Sequence, residues 1–179
     1  MARHFARPGI VAAMLLCAAA LVPVSSTAST PDPVKLAIFD FEFEDMSAAA
    51  SAGEIAASDR QHLAEVTSSV RDLFEKSGRY SLIDVGGADA AEVKARSLRK
   101  CDGCDATIAQ QLGAEQSFVG VVKRITRTEY TVRYQIRDAS TGAVLSSADS
   151  GLRMGADYSW SRGAVRLIKD RLLEKKAQQ

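Results

Sequence analysis

The stretch Val34 to Phe43, VKLAIFDFEF, is apolar at both phases of a two-residue repeat, with Leu36 and Ile38 on one face and Ala37, Phe39, Phe41 and Phe43 on the other. Successive side chains of a strand point to opposite faces, so a strand that is apolar on both must be covered on both. That places it in the centre of a sheet with other layers around it, and confines the chain to architectures that combine strands with helices.

The rest of the chain supplies such layers. Leu63, Val66, Val70, Leu73 and Phe74 recur at three- and four-residue steps and Gly78 stands where a helix stops, which predicts an amphipathic helix of about five turns. Tyr80, Leu82, Ile83 and Val85 form a second strand closed by Gly86-Gly87, and Ala88 to Lys100 reads as a helix of modest hydrophobicity. Strand, helix and strand at this spacing predict a parallel crossover. A short helix, Asp105 to Leu112, ends at Gly113, and three strands follow. Gln116 to Ile125 is the first. Glu129 to Asp138 is the second, with Tyr130, Val132, Tyr134 and Ile136 inward and Thr131, Arg133, Gln135 and Arg137 outward. Asp138 to Gly142 makes a hairpin turn into the third, Ala143 to Leu152. Trp160, Ala164, Leu167, Ile168 and Leu172 share one stripe of a last helix, with Ser159 or Ser161 as its cap. The order βαβααβββα predicts an α/β (α+β) two-layer fold: a mixed five-stranded sheet with helices mainly on one face.

Ahead of this domain, Arg3 and Arg7 precede an unbroken apolar run from Ile10 to Leu21, then Pro23 and small polar residues. That is the order of a secretory signal peptide, and residues 1–28 are expected to be removed after Ala28. The apolar core is about 13 residues, short of the roughly 20 needed to span a bilayer. Cys17 is preceded by the bulky Leu16 where a lipoprotein signal wants a small residue, so lipidation is not expected. Residues 29–33 then read as a linker and 34–176 as a single domain in the periplasm, with no membrane span in the mature chain.

The mature chain keeps about as many acids as bases, since only Arg3 and Arg7 leave the 23 basic residues and none of the 22 acids goes. Nucleic acid is excluded as the main partner, because phosphate binding needs a clustered basic surplus. No G-x-S-x-G, P-loop or G-x-G-x-x-G is present. His62, one residue before Leu63 and off the apolar stripe, is expected to face solvent, and Trp160 to anchor the last helix in the core.

Cys101 and Cys104 of the CDGC motif are the only cysteines beyond the leader, in a compartment that favours disulfides. A structural disulfide pinning the start of the following helix is the first reading. A redox dithiol is the alternative, because a helix N-terminus stabilises a thiolate. Against it, Asp102 and Asp105 repel a thiolate and no proline follows Pro33, so the cis-proline of a thioredoxin-type site is missing. Asp105 stands where covalent haem requires histidine, and zinc would need two more ligands. No cofactor or metal is expected.

Two further groups are candidate sites. Asp40 and Glu42, with Glu44 and Asp45, crowd the end of strand one, where α/β sheets bind ligands and where a hard cation finds oxygens, although the Ca²⁺-loop spacing is absent. Arg124, Arg127, Arg133 and Arg137 project from neighbouring strands, as an anion- or partner-binding patch or as a solubilising face neutralised by Glu129, Asp138 and Asp149.

The opening VKLAIFDFEF, the block CDGCDATIAQQLGAEQSFVGVVKRI, the turn RDASTGAVL and the helix start WSRG together resemble the exported bacterial domain-of-unknown-function family numbered 2380 (also 3280-like). The resemblance implies a location and a fold rather than a reaction. More distantly, the first strand, long helix and three-strand meander are similar to the amino-terminal domain of the Tol-Pal translocation protein B and to the curli-secretion lipoprotein, which are envelope assembly or interaction modules. The expected function is a non-enzymatic periplasmic accessory domain that binds another envelope protein. A thiol-disulfide protein and a small-ligand binder are the alternatives.

Overall fold

The apolar stretch that opens the domain is broken in two. In the computed structural model, which describes residues 31–47, 55–86, 97–153 and 159–174, strand β1 is Val34–Ile38 and strand β2 is Glu42–Asp45. Both lie beside the same neighbour, strand β4 (Gln116–Arg124), so β2 continues β1 after a jog. From Ile38 to Glu42 the chain takes four steps where β4 takes three, from Phe118 to Val121. One extra residue in a strand reverses which face every later side chain meets. Phe41 and Phe43 therefore join Leu36 and Ile38 in one core cluster, and Ala37 and Phe39 pack in the other. The single alternation expected over Val34 to Phe43 is corrected accordingly.

Long helix α1 (Ala57–Lys76) holds the jog in place: the Thr67 hydroxyl accepts a 3.0 Å hydrogen bond from the Phe41 amide, a donor that has left the strand ladder. Across β4 the Phe41 ring lies on Gly120, where a Cβ would sit 2.3 Å from the ring. A strand glycine with negative φ is there for close approach, not for turning.

Strand β3 (Tyr80–Ile83) pairs parallel with β1, as the crossover predicts. Strand β5 (Glu129–Asp138) runs antiparallel to β4, and β6 (Val144–Arg153) antiparallel to β5 with a bulge at Ile136/Arg137. The mixed sheet has the order β3-β1-β4-β5-β6, with β2 paired to β4. It has six strands rather than five only because the first strand is split.

Helix α1 and the last helix, α3 (Ser159–Ile168), cover one face. Leu63, Val66, Val70 and Phe74 of α1 and Trp160, Ala164, Leu167 and Ile168 of α3 are buried there. Burial of a large apolar side chain is worth about 1.5–3 kcal/mol, so these two stripes fix the helices to the sheet. A π-turn, Lys169–Leu173, extends α3 and keeps Leu172 on the stripe. The other face is not bare. A 3₁₀ turn (Leu98–Lys100) and helix α2 (Cys104–Gln111) cover part of it, burying Leu98 and Ala109 against Phe39, Val119 and Val121. The leader at 1–28, most of the helix expected over 88–100 and most of the patch Ser47 to Ala57 lie outside the described residues.

Candidate functional site

The jog has a second consequence, on the α2 side of the sheet. Glu42, the first residue of β2, accepts hydrogen bonds from the Ser97 hydroxyl at 3.0 Å and from the Leu98 amide, and its carboxylate meets the Arg99 guanidinium at 2.6 Å. This carboxylate is 16 % exposed and tethers the segment leading to the cysteine loop. Asp40, on the jog itself, is turned away from Glu42 and pairs with Arg71 of α1 at 3.1 Å. The structure thus gives the two candidate acids separate partners. Among the described residues no group of three or more His, Cys, Asp or Glu side chains is placed to hold a metal ion.

From Lys100 the chain enters the CDGC loop. Cys101 and Cys104 stand at disulfide-bonding distance, their Cα atoms 5.7 Å apart. Gly103 has φ +90°, a left-handed conformation that glycine adopts without a Cβ penalty, and it lets the chain turn into α2 at Cys104. Asp105, in the first turn of α2, is 3 % exposed, where its carboxylate accepts a hydrogen bond from the buried Ser117 hydroxyl and lies 3.7 Å from the Arg137 Nε. Both cysteines pack half-buried against the Phe39 and Val119 cluster.

Between this loop and strands β4 and β5 lies a cleft of about 170 Å³. Val119 and Val121 line it together with Arg99, Lys100, Arg133 and Arg137, and with Asp102 and Asp105. Arg137 is held on three sides: it donates to the Gly142 carbonyl at 2.8 Å and to Asp102 at 3.0 Å, and faces Asp105. Its Nε is buried without a hydrogen-bond acceptor among the described residues. Lys100 and Arg133 have no ion-pair partner among the described residues, although Asp149 stands opposite Arg133 in the β5–β6 register.

The four expected arginines do not form one patch. Arg133 and Arg137 meet in the cleft, whereas Arg124 sits on the opposite face, 4.8 Å over the Phe43 ring and 5.4 Å over that of Tyr130. Arg124 pairs with Asp45 at 3.0 Å and with Asp59 of α1 at 2.8 Å, and its Nε donates to the Tyr130 hydroxyl at 2.9 Å. Burial works against the charge, but the Tyr130 and Asp59 hydrogen bonds outweigh it and hold the guanidinium pKa above its usual value. Arg124 is thus a clasp between sheet and helix. Arg127 is exposed in the turn between β4 and β5.

His62 departs from expectation in part. Its side chain is 20 % exposed beside Glu65, but its ring also packs edge-on against Trp160, centroids 5.6 Å apart, because α3 lies alongside α1 and brings the indole to it. Trp160 is buried and stacks on Phe43, as the core anchor it was expected to be. The residues that sequence reasoning passed over are Ser97, Arg99 and Lys100. The basic pair just before CDGC was visible, but nothing local showed that Glu42 would bring it to the sheet.

A family model described as "Protein of unknown function (DUF2380)" matches residues 34–172. Among solved structures, the LpoB C-terminal domain from Salmonella enterica is similar with a TM-score of 0.50 and 14% identity, over 71% of this chain and 87% of that one. Lipoprotein GNA1162 from Neisseria meningitidis matches with a TM-score of 0.46 and 14% identity, over 70% and 84%. TolB from Acinetobacter baumannii matches with a TM-score of 0.44 and 16% identity, over 75% of this chain and 26% of that chain. The first of these likenesses speaks for the fold alone. No helix among the described residues is long and apolar enough to cross a membrane.

Proposed function

The chain belongs to the DUF2380 family of proteins of unknown function, and on that footing we propose that it is an exported, non-enzymatic interaction domain of the bacterial envelope. It works in the periplasm after loss of residues 1–28, by binding another envelope protein through the sheet face that carries the cysteine loop. The observation that carries this reading is the outer-face cleft. Both of its acids are engaged with Arg137, and Arg99 with Glu42, in contacts that hold the loop, and a volume of about 170 Å³ is well below the roughly 300–1,000 Å³ of small-molecule sites. Such a cleft suits a side chain of a larger partner better than a free metabolite. The disulfide of Cys101 and Cys104 serves this surface as a staple.

A photo-crosslinking residue placed at Gln135, beside the cleft, and another at the exposed Asp72 on the far face test the proposal in the native host. Adducts with one envelope protein from position 135 and none from 72 are expected. Equal labelling from both positions, or a chain that keeps Met1 and stays in the cytosol, would refute it.

One observation favours a second reading: Cys104 is the first residue of α2, where the helix dipole stabilises a thiolate. A reduction potential within the glutathione range would support redox action through Cys101 and Cys104, whereas one below about −300 mV marks a structural bridge.

A further inference from the structure

We infer that the cleft takes a carboxylate side chain from an acidic segment of the protein partner, bound by Arg133 and Arg137 in place of this chain's own Asp102. The inference deepens the proposed function and rests on it.

The charge count points to an anion. Four cations, Arg99, Lys100, Arg133 and Arg137, line the cleft with two acids, Asp102 and Asp105. Arg99 is consumed by Glu42. Lys100 and Arg133 remain without an ion-pair partner among the described residues. Arg137 differs: it is only 14% exposed and fixed by the Gly142 carbonyl, so its guanidinium is already aimed and loses little freedom on binding.

The occupant's identity follows from the acids. The Asp105 side chain is 4% exposed and locked to Ser117, so it stays. A dianionic phosphate would bring a second negative charge up to that fixed one, whereas a single carboxylate brings only one to Arg133 and Arg137. Asp102 shows the geometry such a group would use. It reaches Arg137 at 3.0 Å, yet its side chain is 98% exposed. An exposed ion pair is weak and exchanges readily with solvent and other anions. The loop's own carboxylate is therefore a weak competitor for the place of the partner's carboxylate.

The test uses the exported, processed protein with its disulfide intact, a fluorescent hexaglutamate peptide, its glutamine counterpart and inorganic phosphate, read by anisotropy at low and moderate salt. The glutamate peptide should bind and the glutamine peptide should not. Arg133→Gln, on an exposed residue that leaves folding intact, should weaken binding about tenfold. Asp102→Asn should strengthen it about two- to fivefold, because the competitor is gone. That gain separates a specific site from general attraction to a basic surface, since removing any acid from elsewhere would leave the affinity nearly unchanged. No binding of the glutamate peptide, an unchanged affinity in Asp102→Asn, or displacement of the peptide by equimolar phosphate would overturn the inference. If crosslinks from position 135 persist undiminished in Arg133→Gln, this inference fails while the interaction reading stands.

Discussion

Replacing Gly120 by alanine isolates the jog in the first strand. At an ordinary strand glycine the change would stabilise the protein by about 0.5–1 kcal/mol, because the unfolded chain loses freedom. Here φ is not positive, so no backbone strain opposes it, and the sign is decided by the Phe41 ring, whose nearest atoms lie 2.3, 2.4 and 2.6 Å from the new methyl position. Three ring atoms at that distance must retreat by about an ångström. They have little room: the Phe41 amide is tied to Thr67 and the ring packs 5.9 Å from that of Phe118. Overpacking of this kind costs about 1–3 kcal/mol, and with the backbone pinned the upper half of that range applies. A net loss of about 2 kcal/mol should appear as a lower urea midpoint at unchanged slope, and as a fall of roughly 4–8 °C in Tm for a domain of this size. In a Phe41→Ala background, itself costly by about 3–5 kcal/mol, the same substitution should become neutral or stabilising. If Gly120→Ala is as stable as the wild type, or if its cost persists without the Phe41 ring, the close approach described above is wrong.

Glu42→Ala should destabilise the domain by about 2–3 kcal/mol, because the Leu98 amide and the Arg99 guanidinium lose an acceptor in a largely buried setting. Native-state hydrogen exchange should show the Leu98 and Arg99 amides losing protection before the core strands, and uniform loss would contradict the tether. Cys101→Ser with Cys104→Ser should cost about 2 kcal/mol on the chain-entropy account of so short a loop, seen as equal Tm values for the variant and the reduced wild type. Hydrogen bonds from the Ser140 hydroxyl first, and from Thr141, hold the Asp138 carboxyl down to about 2, below its ordinary 3.8. Because the folded pKa is depressed, the turn's contribution is present above pH 3.8 and is lost as pH falls through about 2. The Ser140 and Thr141 amide resonances should follow that low midpoint, and a midpoint at the ordinary carboxylate value would refute it.

Much of the architecture was legible because it is written in local periodicity. The stripe from Leu63 to Phe74, the alternation from Tyr130 to Ile136, the Asp138 to Gly142 turn and the stripe from Trp160 to Leu172 each announce one element through the spacing of its own residues. The CDGC pair was legible for the same reason. The jog after Ile38 was not, since Phe39, Phe41 and Phe43 read as one unbroken alternation and conceal an inserted residue. Nor was the cleft: Glu42 and Arg99 are 57 residues apart, and Arg137 and Asp102 are 35 apart.

By itself the sequence determined where most of the strands, helices and turns fall and where the paired thiols sit, because each depends on neighbours within a turn or two of backbone. Only the tertiary structure decided which face each side chain meets and which charges pair. A one-residue change of register swaps every face, and register is settled by packing between segments distant in the chain. The same packing turned Arg124 into a clasp and left Arg133 and Arg137 in the cleft.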